Sequence, residues 1–246
     1  MRNVTDFLAP ESQVSIRTPG SHLLSAAEIV ELNRDFESAT PAEILRWAHA
    51  RFGEQLAITS SFGDAVLAHL AWGTIPGIEV VLLDTGYLFA ETIWYAEHAA
   101  ELFGGKLRIV RSELPPDNLW IDNTDACCNA RKVIPLENLL ATHQSWVTGL
   151  RRDDSPDRAT APIISNDIRR NAVKINPIAK WTEAEVDMYT IEHCLPVNPL
   201  AGRGFTSIGC WPCTRAPKPD GDARSGRWAG SEKTECGLHW DSPEQA

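Results

Sequence analysis

Short apolar runs alternate with longer amphipathic segments through the middle of this chain, from Leu56 to His193. The runs have the length of strands, and the segments between them have the periodicity of helices. The predicted strands are Leu56–Thr59, 79–83, 107–110, 146–147 and 173–175, and the predicted helices are 64–72, 88–103, about 128–142 and 183–193. This alternation predicts an α/β fold with a doubly wound, mostly parallel sheet, in which ligands bind beyond the carboxyl ends of the strands.

The predicted domain organisation has three parts. Residues 1–20 are polar and unpatterned, and we expect them to be loose. Residues 21–195 form the α/β domain, which begins with two helices at Ala26–Phe36 and 42–52. Residues 196–246 are rich in Gly, Pro, Arg and Trp without a period, and we expect this tail to belong to the same domain and to wrap it or cover its site.

Charge and hydrophobicity restrict the partners of the chain. Its 33 acidic and 23 basic side chains give a net charge of −10, which argues against nucleic acid because binding phosphates requires a basic face. No apolar run reaches the roughly twenty residues that cross a bilayer, and the N-terminus lacks a signal pattern. We therefore expect a cytoplasmic protein without a membrane partner, and the sequence leaves the oligomeric state open, a homo-oligomer included.

Four of the six cysteines form two pairs that are about eighty residues apart in the chain. Cys127 and Cys128 are adjacent, and Cys210 and Cys213 form a C-x-x-C motif. Four thiolates of this kind could surround one inorganic centre, and from the cysteines alone zinc would be the better choice. Adjacent ligands depart from the loop spacing of structural zinc sites, however. A zinc-stapled nucleotide-binding module is the non-enzyme alternative.

Three cysteine-containing segments, two at the pairs and one at Cys236, carry a family resemblance. They are C-C-N-A-R-K at 127–132, S-I-G-C-W-P-C-T at 207–214 and E-C-G-L-H at 235–239. Together with D-T-G at 84–86 and G-L-R-R at 149–152, they resemble the assimilatory sulfonucleotide reductases, and most closely the [4Fe-4S] adenylyl-sulfate (APS) reductases. The similarity extends from about Leu56 to Trp240.

The resemblance implies an adenine nucleotide alpha hydrolase-like, nucleotide-binding domain with a cysteine-bearing C-terminal tail. It implies a [4Fe-4S] cluster held by Cys127, Cys128, Cys210 and Cys213, and a reaction in which APS and reduced thioredoxin give sulfite and AMP. This reaction belongs to assimilatory sulfate reduction and cysteine biosynthesis. A reductase for the 3′-phosphorylated substrate, PAPS, is the alternative, whereas an adenylating tRNA thiolase is disfavoured by the altered phosphate loop and the acidic charge.

A candidate phosphate loop follows the first predicted strand. Ser60, Ser61 and Gly63 precede a helix, where free N–H groups and the helix dipole favour an anion. The segment resembles a degraded S-G-G-x-D-S loop in which Ala65 replaces the final serine. An ordinary helix N-cap is the alternative interpretation.

Two further segments complete the predicted nucleotide site. Asp84, Thr85 and Gly86 end the second strand, where they could meet adenosine, although a plain strand-to-helix turn is equally consistent. Gly149 follows the fourth strand, and the resemblance places it against the nucleotide.

The arginines after the fourth strand are candidates for anion binding. The resemblance places Arg151 and Arg158 near the phosphosulfate, and guanidinium groups suit phosphate and sulfate oxygens. For Arg152, a surface ion pair with Asp153 or Asp154 is nearly as good an interpretation.

Cys236 lies outside both cysteine pairs, and the resemblance makes it the nucleophile that forms an S-sulfocysteine intermediate. Arg224 and Arg227 would offset charge at the sulfuryl group, although they lie two residues closer to Cys236 than is usual in the family. Lys132, one helical turn after Cys128, would link the cluster to the substrate.

Two remaining residues are excluded from the predicted site. His239 could lower the pKa of the Cys236 thiol, but a structural role is favoured. Cys194 ends a predicted helix without a partner, and we expect it to be buried among apolar groups. The identity of the thiol donor and the motion of the tail do not follow from the sequence.

Overall fold

Six strands form one twisted sheet in the order β3-β2-β1-β4-β6-β5. This computed structural model describes residues 22–217, 224–228, 233, 235, 237 and 238. All strand pairs are parallel except β5 with β6, which is antiparallel at the edge. The strands are β1 Leu56–Thr59, β2 Glu79–Asp84, β3 Lys106–Arg111, β4 Ser145–Val147, β5 Ile164–Asp167 and β6 Ala172–Ile175. The predicted α/β fold with a mostly parallel sheet is confirmed.

Helices cover both faces of this sheet. They are α1 Ala26–Phe36, α2 Pro41–Phe52, α3 Val66–Thr74, α4 Ala90–Phe103, α5 Leu119–Asp122, α6 Thr124–Cys128, α7 Ile134–Leu140 and α8 Glu183–Glu192. A π-helical turn, Asn129–Val133, joins α6 to α7. Within the described ranges, no helix is both long and apolar enough to span a membrane.

Capping boxes fix the starts of α1, α2 and α8. In each helix a hydroxyl group accepts from a backbone N–H three residues later, and the Glu at that position accepts from the cap in return. The pairs are Ser25 with Glu28, Thr40 with Glu43, and Thr182 with Glu185.

The apolar side chains of the strands divide between two cores, one on each face of the sheet. Ile58, Leu82 and Val147 pack toward α2, α3 and α4. Leu83 and Trp146 pack on the opposite face, where the apolar cluster also includes α7 and the tail residues Trp228 and Leu238. The described parts of the tail therefore contribute to the second core, and the proposed domain boundaries stay a prediction.

Several predicted boundaries differ from the structure for local reasons. The sequence does not predict strand β5, because Ser165 and Asn166 interrupt the apolar pattern in this edge strand. The helix predicted to begin near Cys128 begins at Thr124 instead, because the Asn123 side chain accepts a hydrogen bond from the N–H of Ala126. The predicted burial of Cys194 is wrong, because its side chain is exposed. Cys194 lies in the turn after α8, where its own backbone is left-handed, with a φ of 51°.

Helix α1 covers the open edge of β5 through one side chain. The Asn33 amide donates to the carbonyl oxygens of Ile29, at 2.9 Å, and Ile164, at 2.7 Å. Its carbonyl oxygen accepts from the backbone N–H groups of Ile163, at 2.9 Å, and Ile164, at 3.0 Å. Asn33 thus satisfies the backbone groups that an edge strand leaves without partners.

We expect Asn33→Ala to lower the free energy of unfolding by about 1–3 kcal/mol, because it leaves partly buried backbone groups without hydrogen bonds. Chemical denaturation of the purified protein measures the loss. Glu31→Ala is the control, since Glu31 lies on the same helix in an exposed ion pair and should change the stability by less than about 0.5 kcal/mol. Equal losses in the two variants would contradict the role of Asn33.

Candidate active site

The loops after β1, β2 and β4 meet at one edge of the sheet. The chain runs outward from β1 to β2 and β3, and then returns to β4 on the other side of β1. The strand order therefore reverses between β1 and β4, and in open α/β sheets this reversal leaves a crevice that binds ligands. Ser60, Thr85 and Gly149 follow the three strands at this edge, so the structure brings the three predicted nucleotide-binding segments together.

The first loop presents its serines beside a buried aromatic anchor. Ser61 is exposed, and Ser60 and Gly63 are partly exposed. Phe62 is fully buried with a φ of 52°, and its carbonyl oxygen accepts a hydrogen bond from the Asn198 amide at 3.0 Å. This anchor fixes the turn and leaves its rim open to a ligand.

An acidic side chain bonds the backbone just before α3, whose N-cap Ala65 makes no side-chain cap bond. The Asp64 carboxylate accepts from the N–H of Val66 at 2.9 Å. The Ser60 hydroxyl accepts from the N–H of Phe62 at 3.2 Å, which tightens the loop before the helix. The side-chain N-cap considered as the alternative for this segment is therefore absent from the start of α3.

The second loop points toward the cysteines. The hydroxyl of Thr85 lies 3.2 Å from the sulfur of Cys210 and accepts from the N–H of Tyr87. The buried Asp84 carboxylate accepts from the N–H of Gly86, whose φ of 77° suits glycine. Thr85 thus connects the end of β2 to the C-x-x-C motif.

The third loop begins with an exposed glycine. Gly149 follows β4, and a Cβ atom there would lie 3.6 Å from the Leu67 side chain. The preceding Thr148 is buried and donates to the Asn176 side chain at 2.7 Å. This bond holds the end of β4 while Gly149 remains accessible.

A partly buried network of ion pairs extends from this third loop. Arg151 contacts Asp154 at 2.9 Å and Glu183 at 2.6 Å. Arg158 contacts Asp154 at 2.7 Å and also pairs with the tail residue Glu235 at 2.6 Å. The structure therefore brings the predicted anion-binding arginines close to the residue that precedes Cys236 in the chain.

Arg152 turns away from this network. Its guanidinium group pairs with both carboxylate oxygens of Glu37, at 2.6 and 3.2 Å. This contact agrees with a surface ion pair for Arg152, although the partner is Glu37 and not the neighbouring Asp153 or Asp154.

Two other guanidinium groups lie near Arg224 among the described residues. Its guanidinium group lies 3.4 Å from the Glu235 carboxylate. Burial lowers the pKa of Arg224, and the like charges of Arg158 and Arg227 lower it further. An added anion would relieve this repulsion, which is the electrostatic property that a site for a sulfuryl or phosphoryl group requires.

The four predicted cysteine ligands lie in one neighbourhood. Cys127 ends α6 with Cys128, and Cys210 and Cys213 flank a short helical turn. Burial raises the pKa of Cys127 to about 11, with further contributions from Cys128 and Cys210. Burial likewise raises the pKa of Cys213, and the neighbouring Cys210 and Cys127 add to the shift. Among the described residues, no three His, Cys, Asp or Glu side chains are arranged to hold a single metal ion.

Arg131, which sequence reasoning did not select, is the main anchor of the cysteine-bearing helix. Its side chain is 2% exposed, and it donates to the carbonyl oxygens of Thr85, Leu114 and Pro115. It also pairs with Asp117 at 2.8 Å. Its position in the C-C-N-A-R-K segment, three residues after Cys128, was the available signal.

Lys132 occupies the π-helical turn beside Arg131 and is half-buried. It makes no hydrogen bond or ion pair with another residue that the structure describes. Its predicted role, to link the cluster to the substrate, stays a prediction.

Backbone hydrogen bonds attach the tail to the C-x-x-C segment. The N–H of Arg215 donates to Gly226 at 2.8 Å, and the N–H of Trp228 donates to Cys213 at 2.9 Å. The Arg227 guanidinium group lies 4.6 Å from the centre of the Trp228 ring. This pairing places Arg227 beside the cysteines. The predicted nucleophile Cys236 and the residue His239 lie outside the described residues.

Comparisons with known proteins find similar sequences over most of the chain. The family described as phosphoadenosine phosphosulfate reductase domain matches residues 55–216. An adenosine 5′-phosphosulfate reductase from Streptomyces coelicolor is 46% identical over 215 residues, which cover 84% of this chain and 91% of that protein.

Solved structures extend the comparison to the fold. A phosphoadenylyl-sulfate (PAPS) reductase from Candida auris, in a phosphate complex, is 27% identical with a TM-score of 0.69, and the match covers 80% of this chain and all of that one. An FMN adenylyltransferase from Candida glabrata, at 14% identity and a TM-score of 0.55, shares the fold over 91% of this chain and 81% of that one.

We expect Arg131→Leu to lower the thermal midpoint by about 5–10 °C, because leaving the carbonyl oxygens of Thr85, Leu114 and Pro115 without their donor costs about 3 kcal/mol in total. Thermal unfolding followed by circular dichroism measures the shift. Arg169→Leu is the matched control, since Arg169 pairs with Glu137 but is 51% exposed, and we expect a shift below about 2 °C. Similar shifts in both variants would contradict the anchoring role of Arg131.

Proposed function

Since the chain belongs to the phosphoadenosine phosphosulfate reductase family, we propose that it reduces adenosine 5′-phosphosulfate to sulfite and AMP. The chain is accordingly an oxidoreductase that acts on a sulfur group. Its relatives of 46% identity that are named adenosine 5′-phosphosulfate reductases support APS as the substrate. The biological role is sulfate assimilation, which supplies cysteine biosynthesis.

One observation carries this proposal: the nucleotide-binding edge, the cysteines and the tail arginines are adjacent. Thr85 at the end of β2 contacts Cys210, while Arg158 and Arg224 both contact Glu235. A nucleotide at the switch point could therefore direct its sulfuryl group toward the tail.

The four cysteines are suited to hold the [4Fe-4S] cluster that we propose as the cofactor. Burial first, and then the neighbouring thiols, raise the pKa of Cys127 and of Cys213, and cationic iron would offset both effects by binding the thiolates. Each iron of a cubane cluster takes one thiolate, so the ligands need not converge on a single point as they would around one ion. The cluster would supply local charge that tunes the site, while thiols supply the electrons.

In the proposed reaction, the Cys236 thiolate attacks the sulfur of APS. The bond between that sulfur and the bridging phosphate oxygen breaks, and AMP leaves with the electron pair. Arg224, Arg227 and Lys132 offset the negative charge of the sulfuryl oxygens as the thiolate approaches.

A reduced thioredoxin then completes the cycle. One of its thiolates attacks the Cys236 sulfur and releases sulfite, which leaves a mixed disulfide. The second thioredoxin thiol resolves this disulfide and regenerates the Cys236 thiol. Two thiols of the donor are thus oxidised to one disulfide for each sulfite released.

Reduction of PAPS is the second candidate function. It is favoured by the solved structure of 27% identity, which is that of a PAPS reductase. A PAPS reductase would need an additional cationic contact for the 3′-phosphate. A zinc-stapled nucleotide-binding module without activity is the remaining alternative, and the metal content separates it from both enzymes.

We expect anaerobically purified protein to contain about four irons and about four sulfides per chain, as a cysteine-bound [4Fe-4S] cluster requires. Cys127→Ser or Cys213→Ser should lose the iron and the activity, because a hydroxyl is a poor ligand for iron. Metal analysis, sulfide analysis and visible absorption measure the outcome.

Cys194→Ser is the control for these variants, because Cys194 is an exposed cysteine outside the site. It should keep both iron and activity. One zinc ion without sulfide in the wild type would overturn the cofactor, and full activity in an iron-free variant would exclude any role for it.

We expect wild-type protein mixed with APS, without a thiol donor, to gain the mass of one SO₃ group and to release one AMP per chain. The adduct should lie on the peptide that contains Cys236, and Cys236→Ser should bind AMP but form no adduct, since a hydroxyl is a far weaker nucleophile than a thiolate at neutral pH. Peptide mass spectrometry measures it. An adduct on another cysteine would contradict the proposed nucleophile.

A further inference from the structure

Glu235, the residue directly before Cys236, is held in a two-pronged ion pair. Its side chain is 6% exposed, and its two carboxylate oxygens accept from Nε and Nη2 of Arg158 at 2.6 and 2.9 Å. Paired donors matched to paired acceptors fix both the distance and the plane of the two groups. The contact joins residues 77 positions apart in the chain.

The receptor for this carboxylate is built into the loop after β4. The third donor position of Arg158, Nη1, contacts Asp154 at 2.7 Å, and Asp154 also contacts Arg151 at 2.9 Å. Arg158 is therefore oriented by its own loop, and Glu235 meets a guanidinium group whose direction is already fixed.

Burial alone would raise the pKa of Glu235, but the hydrogen bonds and charge of Arg158, followed by the charges of Arg224 and Arg227, outweigh burial and lower it. Glu235 is therefore ionised at neutral pH. Its charge stabilises the docked tail above the pKa of the free carboxyl group, and this stabilisation is lost only as the pH falls through the lowered value.

The position of Glu235 restricts the position of the next residue. Consecutive Cα atoms lie about 3.8 Å apart across a trans peptide bond. A docked Glu235 therefore limits how far the next residue in the chain can lie from Arg158 and Arg224. A nucleophile misplaced by about 1 Å can lose about 10²-fold in rate, so this confinement affects catalysis.

We propose that Glu235 is a positioning residue, whose ion pair with Arg158 docks the nucleophile-bearing segment of the tail beside the substrate site. The inference rests on the proposed function, because it assigns Cys236 as the nucleophile. Under this proposal Arg158 and Arg224 bind the Glu235 carboxylate of the tail in addition to the substrate.

The contrasting mechanism is competition. In that case Glu235 would occupy the arginines in place of a substrate anion and would have to leave before APS binds. Neutralising Glu235 would then tighten APS binding, whereas a docking role predicts slower chemistry with binding unchanged. The two mechanisms therefore differ in the sign of the effect.

The test is Glu235→Gln, which keeps the shape of the side chain and removes the charge. We expect the single-turnover rate of adduct formation on Cys236 to fall by about 10²-fold, with the Kd for APS changed by less than about threefold. Glu235→Asp, which keeps the charge, should recover part of the rate. A wild-type rate in Glu235→Gln, or tighter APS binding, would overturn the proposal.

Glu37→Gln is the matched control. Glu37 makes a similar two-pronged pair with Arg152, but it lies on the surface far from Cys236 in the chain. This variant should form the adduct at the wild-type rate. An equal loss of the single-turnover rate in both variants would contradict the proposal, because it would mean that either ion pair affects the rate only through the stability of the fold.

Hydrogen exchange separates failure of this inference from failure of the proposed function. In Glu235→Gln, amides of the peptide around residues 233–239 should exchange faster than in the wild type and in Glu37→Gln. This readout needs no turnover, so it tests docking even if wild-type protein forms no adduct with APS. Unchanged exchange in that peptide would overturn the docking role.

Discussion

The backbone pairing between residues 213–215 and 226–228 is the contact on which the arrangement of the site depends. It joins the tail to the C-x-x-C segment. The part of the tail that carries Arg224, Arg227 and Glu235 is thereby attached next to Cys213. Gly226 permits this approach, because a Cβ atom there would lie 2.0 Å from the carbonyl oxygen of Arg215. Any larger residue would displace the backbone there, and with it the neighbouring Arg224 and Arg227.

Buried polar contacts then connect the cysteines to the nucleotide edge. Arg131 binds the carbonyl oxygen of Thr85, while the hydroxyl of Thr85 contacts Cys210. The turn after β2 is thus held by the cysteine-bearing helix on one side and by the C-x-x-C segment on the other. Ser61 and Gly149 are exposed at the crevice. The buried polar contacts therefore stabilise the loops, while exposed groups remain accessible to a ligand.

The sequence predicted the central parallel strands closely, because strands covered on both faces carry continuous apolar runs, as residues 80–83 of β2 do. It missed β5, because the strand contains the polar residues Ser165 and Asn166, and its backbone edge at Ile164 is covered by Asn33 from a distant helix. The family motifs located the cysteines and arginines, but no local pattern reveals that Arg158 pairs with Glu235, since that pairing exists only after the chain has folded. The exposure of Cys194 depended in the same way on how one turn ends.

The central claim is that this site reduces APS. The most direct measurement compares kcat/KM for APS and for PAPS, with the same reduced thioredoxin as donor and sulfite release as the readout. The account predicts a clearly higher specificity constant for APS, since the relatives of 46% identity are named for that substrate. Comparable constants, or a higher constant for PAPS, would contradict it.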